Sequence, residues 1–147
     1  MPSLRSETVR NKLIQRLQHL TPASTAQWGK FDAPGMLCHL GDTLAMALGD
    51  THLPSMNANR MQRFLLKYLF LYVVPMPKGL PTAGGLLSSP PSNFEADRRR
   101  VMELIERLAA VPRALGPEHP FFGPLTNDEW NVLQRKHTDH HLRQFGR

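Results

Sequence analysis

The chain has 147 residues, 41% hydrophobic and 20% charged, a composition that fits one globular domain with one core and excludes wholesale disorder or two independent domains. Its formal charge of +6 is a mild excess. The basic residues are scattered apart from Arg98, Arg99 and Arg100, so the one-sided charge of a nucleic-acid binder is missing and no nucleic-acid partner is expected.

Met1 to Arg10 carries charges where a signal peptide needs an apolar run. A first helix is predicted over about Ser3 to Leu20, with Leu4, Val9, Leu13, Leu17 and Leu20 on one stripe, ending at Thr21-Pro22. Asp32 is a cap for a second helix with Pro34 in its first turn; its inner stripe is Met36, His39, Leu40, Leu44, Ala47 and Leu48, and Gly49-Asp50 closes it. One cysteine, Cys38, rules out an intrachain disulfide and points to the cytoplasm.

A third, aromatic segment runs from about Asn57 to Val74 and stops at Pro75-Met76-Pro77. Its most apolar part, Phe64 to Val74, is eleven residues long and interrupted by Lys67, against the roughly twenty a membrane-crossing helix needs. No membrane partner is expected. Residues 75–93 hold five prolines and three glycines and read as a loop. A fourth helix over about Phe94 to Val111 buries Val101, Leu104, Ile105 and Leu108, which turns Arg98, Arg99 and Arg100 largely outward. A second loop, Pro112 to Pro124, leads to a last helix capped by Thr126, with Glu129 completing a capping box. Sustained two-residue alternation is absent, so the expected fold is all-α: a four-helix bundle in one domain, with the Asn57–Val74 segment in a long crossover.

On the last helix Trp130, Leu133, His137, His141 and Phe145 follow one another at steps of three and four. A four-residue step leaves two side chains about 40° apart around the helix and about 6 Å apart along it, so His137 and His141 can converge on one cation, as in helical zinc motifs. By spacing alone His140 is an alternative partner for His137. A third ligand must come from elsewhere, and His39, on the inner stripe of the second helix, is the best candidate. Cys38 points about 100° away from it. Asp42, one turn on, is placed to orient a ligand or a water. A hydrogen-bond network among packed histidines remains the alternative, because buried imidazoles need partners of either kind.

The stretch Trp28-Gly-Lys-Phe-Asp-Ala-Pro-Gly-Met36-Leu-Cys-His39-Leu-Gly-Asp42, and the stretch His119-Pro-Phe-Phe-Gly-Pro124 continuing through Trp130 to His137-Thr-Asp-His140-His141-Leu-Arg-Gln-Phe145, resemble the DinB-like superfamily, in a branch without assigned function. Pro75 to Thr82 is similar to the same branch. The resemblance implies a four-helix bundle whose second helix gives one histidine ligand and whose last helix gives two, separated by four. These fall on His39, His137 and His141. It further implies a divalent metal, zinc or nickel foremost, and often a homodimer. Better-studied relatives use low-molecular-weight thiols as transferases or isomerases; others have no known reaction. The corresponding function is a metal-dependent transferase or hydrolase that activates a thiol or water for attack on a small molecule, the alternative being a non-catalytic metal-binding or interaction module. No catalytic residue is identified.

Arg143 and Gln144 are candidate substrate contacts or plain exposed positions. Trp28 and Trp130 read as core anchors. His119-Pro120-Phe121-Phe122 either packs its loop on the bundle or walls a pocket. No serine sits on a nucleophile elbow, Gly84-Gly85 lacks the rest of a phosphate loop, and His19 and His52 show no partner by spacing.

Overall fold

Helices begin where a side chain can take up the backbone donors that the first turn leaves unpaired, and this chain supplies such residues at most of its helix starts. The computed structural model describes residues 1–51, 59–78, 89–112 and 118–147. Within them α1 spans Glu7–Gln18, α2 Ala33–Ala47, α3 Arg60–Tyr68, α4 Phe94–Ala110 and α5 Asn127–Gln144, and a π-helical turn, Leu69–Val73, prolongs α3. The described residues contain no strand, and an isolated bridge joins His119 to Gly123. The fold is all-α, as expected.

The Asp32 carboxylate accepts from Gly35 N at 2.7 Å with proline in the first turn of α2. Asn93 caps α4 through Ala96 N at 3.0 Å. Complete capping boxes, Asn59 with Gln62 and Thr126 with Glu129, open α3 and α5. The exception is α1. It is shorter than the predicted Ser3–Leu20, and Ser6 makes no side-chain cap bond. Leu4 and Leu20 lie outside the helix yet are fully buried, so the periodicity reported burial correctly while overstating helix length.

The predicted inner face of α4, Val101, Leu104, Ile105 and Leu108, is the buried one. Most of α2 is buried all round, which marks it as a central helix. It packs on α4 and α5, and α1 packs on the same two. Two of the three arginines expected to face outward do not. Arg98 donates to the carbonyls of Gln18 and Leu20, each at 3.0 Å, and so closes the end of α1. Arg100 crosses α2 at Gly41, where a Cβ would meet its Nη1 at 2.8 Å, and binds Asp42 Oδ1 with two N–H groups at 3.2 Å. Arg99 alone of the three is exposed.

The third segment lies between α2 and α4 as expected, its described helix starting at Arg60. Charge and one apolar plug fasten it to the bundle. Lys67 pairs with Glu129 at 2.9 Å and Arg63 with Glu118 at 3.4 Å, while Leu71 is fully buried. Lys136 of α5 donates to the carbonyls of Phe70, Leu71 and Val74 at 2.6, 3.2 and 2.7 Å, filling the acceptors that the end of the π-helical turn leaves open. The described parts of the two predicted loops are non-helical, 75–78 and 89–93 in one and 118–124 in the other. Asn57, His52, Gly84-Gly85 and the segment from 79 to 82 lie outside the described residues. None of the described helices is long and apolar enough to cross a membrane.

Replacing Thr126 by Ala removes one half of the α5 capping box and should cost about 1 kcal/mol. Ile105→Ala, which empties a fully buried position, should cost about 2–5 kcal/mol. Urea unfolding reads both as a lowered midpoint at unchanged slope; equal losses for the two would show that Ile105 is not packed in the core.

Candidate metal centre

His39, His137 and His141 come together. The Nε2 atom of His137 lies 3.1 Å from that of His39 and 3.1 Å from that of His141, and one nitrogen from each ring falls within 4.8 Å of the others. The rings meet edge to face, with centroids 4.7 to 5.1 Å apart. Metal–nitrogen bonds of about 2.1 Å would set ligand nitrogens about 3.0 Å apart at right angles and about 3.4 Å apart at the tetrahedral angle. The two contacts of His137 fall in that interval, and the third pair, His39 with His141, lies within 4.8 Å. Three clustered histidines form a group able to hold a metal ion.

The hydrogen bonds behind the rings determine which nitrogens carry protons. Gln144 Nε2 donates to the Trp28 carbonyl at 2.6 Å, which turns its Oε1 toward His141 Nδ1 at 2.8 Å. An amide oxygen only accepts, so His141 Nδ1 is the protonated nitrogen and Nε2 bears the lone pair. The Thr43 hydroxyl donates to the Leu40 carbonyl at 3.0 Å and lies 3.3 Å from His137 Nδ1. When that hydrogen goes to Leu40, and not to Gln134 Oε1 at 3.5 Å or to the ring, the oxygen accepts from Nδ1–H and His137 Nε2 is bare as well. In that arrangement two lone pairs face each other at 3.1 Å. A cation between them turns the repulsion into coordination, whereas neutral imidazoles in these tautomers cannot hydrogen-bond to one another.

Burial holds the rings neutral. Loss of solvent pushes His39 down to about 4, against a smaller upward pull from the Asp42 carboxylate. It pushes His141 down to about 3, with the His39 ring adding to the effect. His137 is depressed well below the usual imidazole value, by burial first and then by the two neighbouring rings. By surface, His39 and His141 are buried and His137 is the partly exposed member of the three. Phe31 walls the cluster, stacked on His39 at 5.0 Å and edge-on to His141 at 5.5 Å.

The other expectations divide. His140, the alternative partner by spacing, is not one of the clustered ligands: its ring lies edge-on to His141 at 5.2 Å, but it is half-buried, bonds the Met76 backbone and sits 6.1 Å from the Trp28 ring. Cys38 also stands apart, its thiol 3.7 Å from Asp97 Oδ2 and raised to about 11 by burial and that carboxylate. Asp42 does not bond a histidine. Arg100 and Ser89 hold it, Ser89 N at 2.6 Å, and it acts on His39 through its field. Gln144 is buried and orients His141, while Arg143 is exposed and pairs with Asp139 at 3.0 Å. His19 has a partner after all, the Gln15 carbonyl at 2.6 Å. His119 stacks on Phe122 at 4.5 Å and accepts from Phe121 N at 3.2 Å, so its loop packs on Trp130.

Sequence reading missed Phe31, Thr43 and the positioning role of Gln144. Thr43 lies four residues after His39 and Gln144 three after His141, so polar residues one turn from each ligand were the available signal. Gly29 supports the same network. Its φ is +81°, and a Cβ there would collide with Gln144 Nε2. A cleft of about 510 Å³ opens nearby, with Trp28, Met76, Lys78, Arg135, His140 and Arg143 in its walls; none of the three clustered histidines lines it.

His39, His119 and His141 take up protons later when folded than the ordinary value of 6.5. The unfolded chain therefore binds more protons below that pH, and stability is fully present above 6.5 and lost as pH falls toward about 4 and then 3. Chelator-treated protein should show its urea midpoint falling already between about pH 6.5 and 5, above the range where carboxylates titrate. His119→Asn should flatten part of that slope; a midpoint constant across the window would contradict neutral burial.

Neither the search of curated proteins nor that of solved structures finds a match. A family profile described as a protein of unknown function (DUF1569) matches residues 3–147. That match spans the capped helices, the loop carrying Trp28 and all three clustered histidines, and the chain belongs to the DUF1569 family.

Proposed function

We propose that this protein binds one divalent metal ion on His39, His137 and His141 and uses it to activate a thiol or a water against a small electrophilic substrate, as a transferase or hydrolase. The observation that carries the reading is the convergence of the His39 and His141 Nε2 atoms on that of His137, each at 3.1 Å, with Gln144 and Thr43 behind the Nδ1 atoms of His141 and His137. A divalent ion held by three neutral imidazoles keeps its full charge, which brings a thiol or a water to its nucleophilic form near neutral pH. Thr43 and Gln144 keep the two ring tautomers that leave Nε2 free to coordinate. Phe31 excludes solvent from one side. The partly open edge of His137 is the approach for a substrate.

The mutual packing of α1, α2, α4 and α5 supports a four-helix bundle of the DinB-like type, with α3 in the long crossover. On that reading a low-molecular-weight thiol is the co-substrate, the cytoplasm its compartment, and zinc or nickel the ion, imidazole being a good ligand for both. One observation favours a non-catalytic metal-binding module instead: the described cleft is lined by His140 and not by the clustered rings, as a closed site would require.

Untagged protein should carry close to one zinc or nickel ion per chain, and His137→Ala should lose it. Gln144→Ala, which frees His141 to turn, should weaken affinity about 10- to 100-fold. Turnover of an electrophile panel with a low-molecular-weight thiol, abolished by chelator, separates the enzyme from the binding module. Chelator-treated protein that takes up neither ion, with its fold intact, would overturn the metal site itself.

A further inference from the structure

Along α5, Arg135, Asp139 and Arg143 follow one another at steps of four and so share one side of the helix. His137 and His141 each stand two residues from an arginine of that line, which sets them about 160° away round the axis. The cleft of about 510 Å³ opens over the arginine side. Trp28, Val74 and Met76 form its apolar part. Its charged groups are Lys78, Arg135, Lys136, Asp139 and Arg143, so several cations meet a single carboxylate.

That carboxylate is already taken. Asp139 pairs with Arg16 through Oδ1 at 2.6 Å and with Arg143 through Oδ2 at 3.0 Å. Lys136 is tied to backbone carbonyls, which carry no charge to offset its own. Lys78 lies over the Trp28 ring, 4.1 Å from its centre. The other half-buried arginines that the structure describes, Arg10, Arg16, Arg63, Arg98 and Arg100, each pair with a carboxylate. Arg135 does not. Its Nε is shielded from water without a partner, and so is Nε1 of Trp28. The Arg143 charge works against that of Arg135, and Arg135 against that of Lys136. A guanidinium stays charged and can only donate, so a fold that half-buries one ordinarily gives it acceptors.

We infer that this cleft binds a small organic anion, a carboxylate or phosphate head on an apolar body, at a site separate from the histidine cluster. Arg135 takes the head, its planar fork matching two oxygens at once, and Lys78 and Arg143 add positive charge at the mouth. The body lies among Val74, Met76 and the Trp28 ring. The cleft, at about 510 Å³, has the size of a small-molecule site, which runs from about 300 to 1,000 Å³ and combines apolar walls with a few placed polar groups.

Isothermal titration of the chelator-treated full chain with 2-naphthoate and with 2-naphthyl phosphate should show saturable binding of one molecule per chain. The tighter of the two names the head group. Neutral 2-naphthalenemethanol should bind at least tenfold more weakly. Arg135→Gln should weaken the anion at least tenfold. The double variant Lys78→Gln/Arg143→Gln, at two exposed positions, should do the same with an unchanged circular dichroism spectrum. Arg99→Gln, exposed on α4, should leave the affinity as it is. An affinity indifferent to both cleft variants, equal for the neutral alcohol, or absent for both anions overturns the inference. So does binding that appears only once zinc is restored, since the anion then sits on the histidine cluster. The titration is read without metal, so a chain that binds the anion and no metal loses its metal centre and keeps this site.

Discussion

Three imidazole rings converging on one point inside a protein are a constraint that the surrounding structure must enforce, because left to themselves the rings would turn apart or share a proton. Here the enforcement comes from behind. Gln144 is held by the Trp28 carbonyl and in turn holds His141, and Thr43, set between the Leu40 carbonyl and the ring, holds His137. Burial then removes the remaining alternative, protonation, by making the imidazolium costly. The rings are therefore neutral, oriented and converged, the state in which imidazole is a ligand.

The scaffold serves that arrangement by joining distant pieces of chain at the same point. The loop before α2 contributes the Trp28 carbonyl and Phe31, α2 contributes His39 and Thr43, and α5 contributes His137, His141 and Gln144. Gly29 takes a left-handed conformation where Gln144 comes closest. On the far side of α2, Arg100 uses the missing side chain of Gly41 to reach Asp42. That ion pair holds α2 to α4 and keeps a carboxylate near His39 without bonding it, so the histidine's proton balance is set mainly by desolvation. Lys136, next to His137 in sequence, fastens α5 to the end of the π-helical turn.

The crossover obeys a different logic from the bundle. Its ion pairs with Glu118 and Glu129 face inward and its hydrocarbon faces solvent. A single chain gains nothing from that orientation, since exposed apolar area is what folding removes.

Much of this was legible in the residues. Capping chemistry is local, so Asp32, Thr126 and Glu129 announced their helices, and the three- and four-residue steps of Val101, Leu104, Ile105 and Leu108 announced the buried face of α4. The four-residue step also put His137 and His141 on one side of α5, and the polar break in two apolar stripes singled out His39. Local patterns carry no distances between helices, however. Only the tertiary structure decided that the nitrogens of His39 converge with those of the other two while His140 bonds the Met76 backbone, and that Asp42 turns to Arg100. It also decided that Gln144 is buried rather than exposed. Those outcomes depend on which residues, 91 or more positions apart for Thr43 and Gln134 or His39 and His137, are pressed together when the helices pack, and periodicity along one helix contains no information about its neighbour.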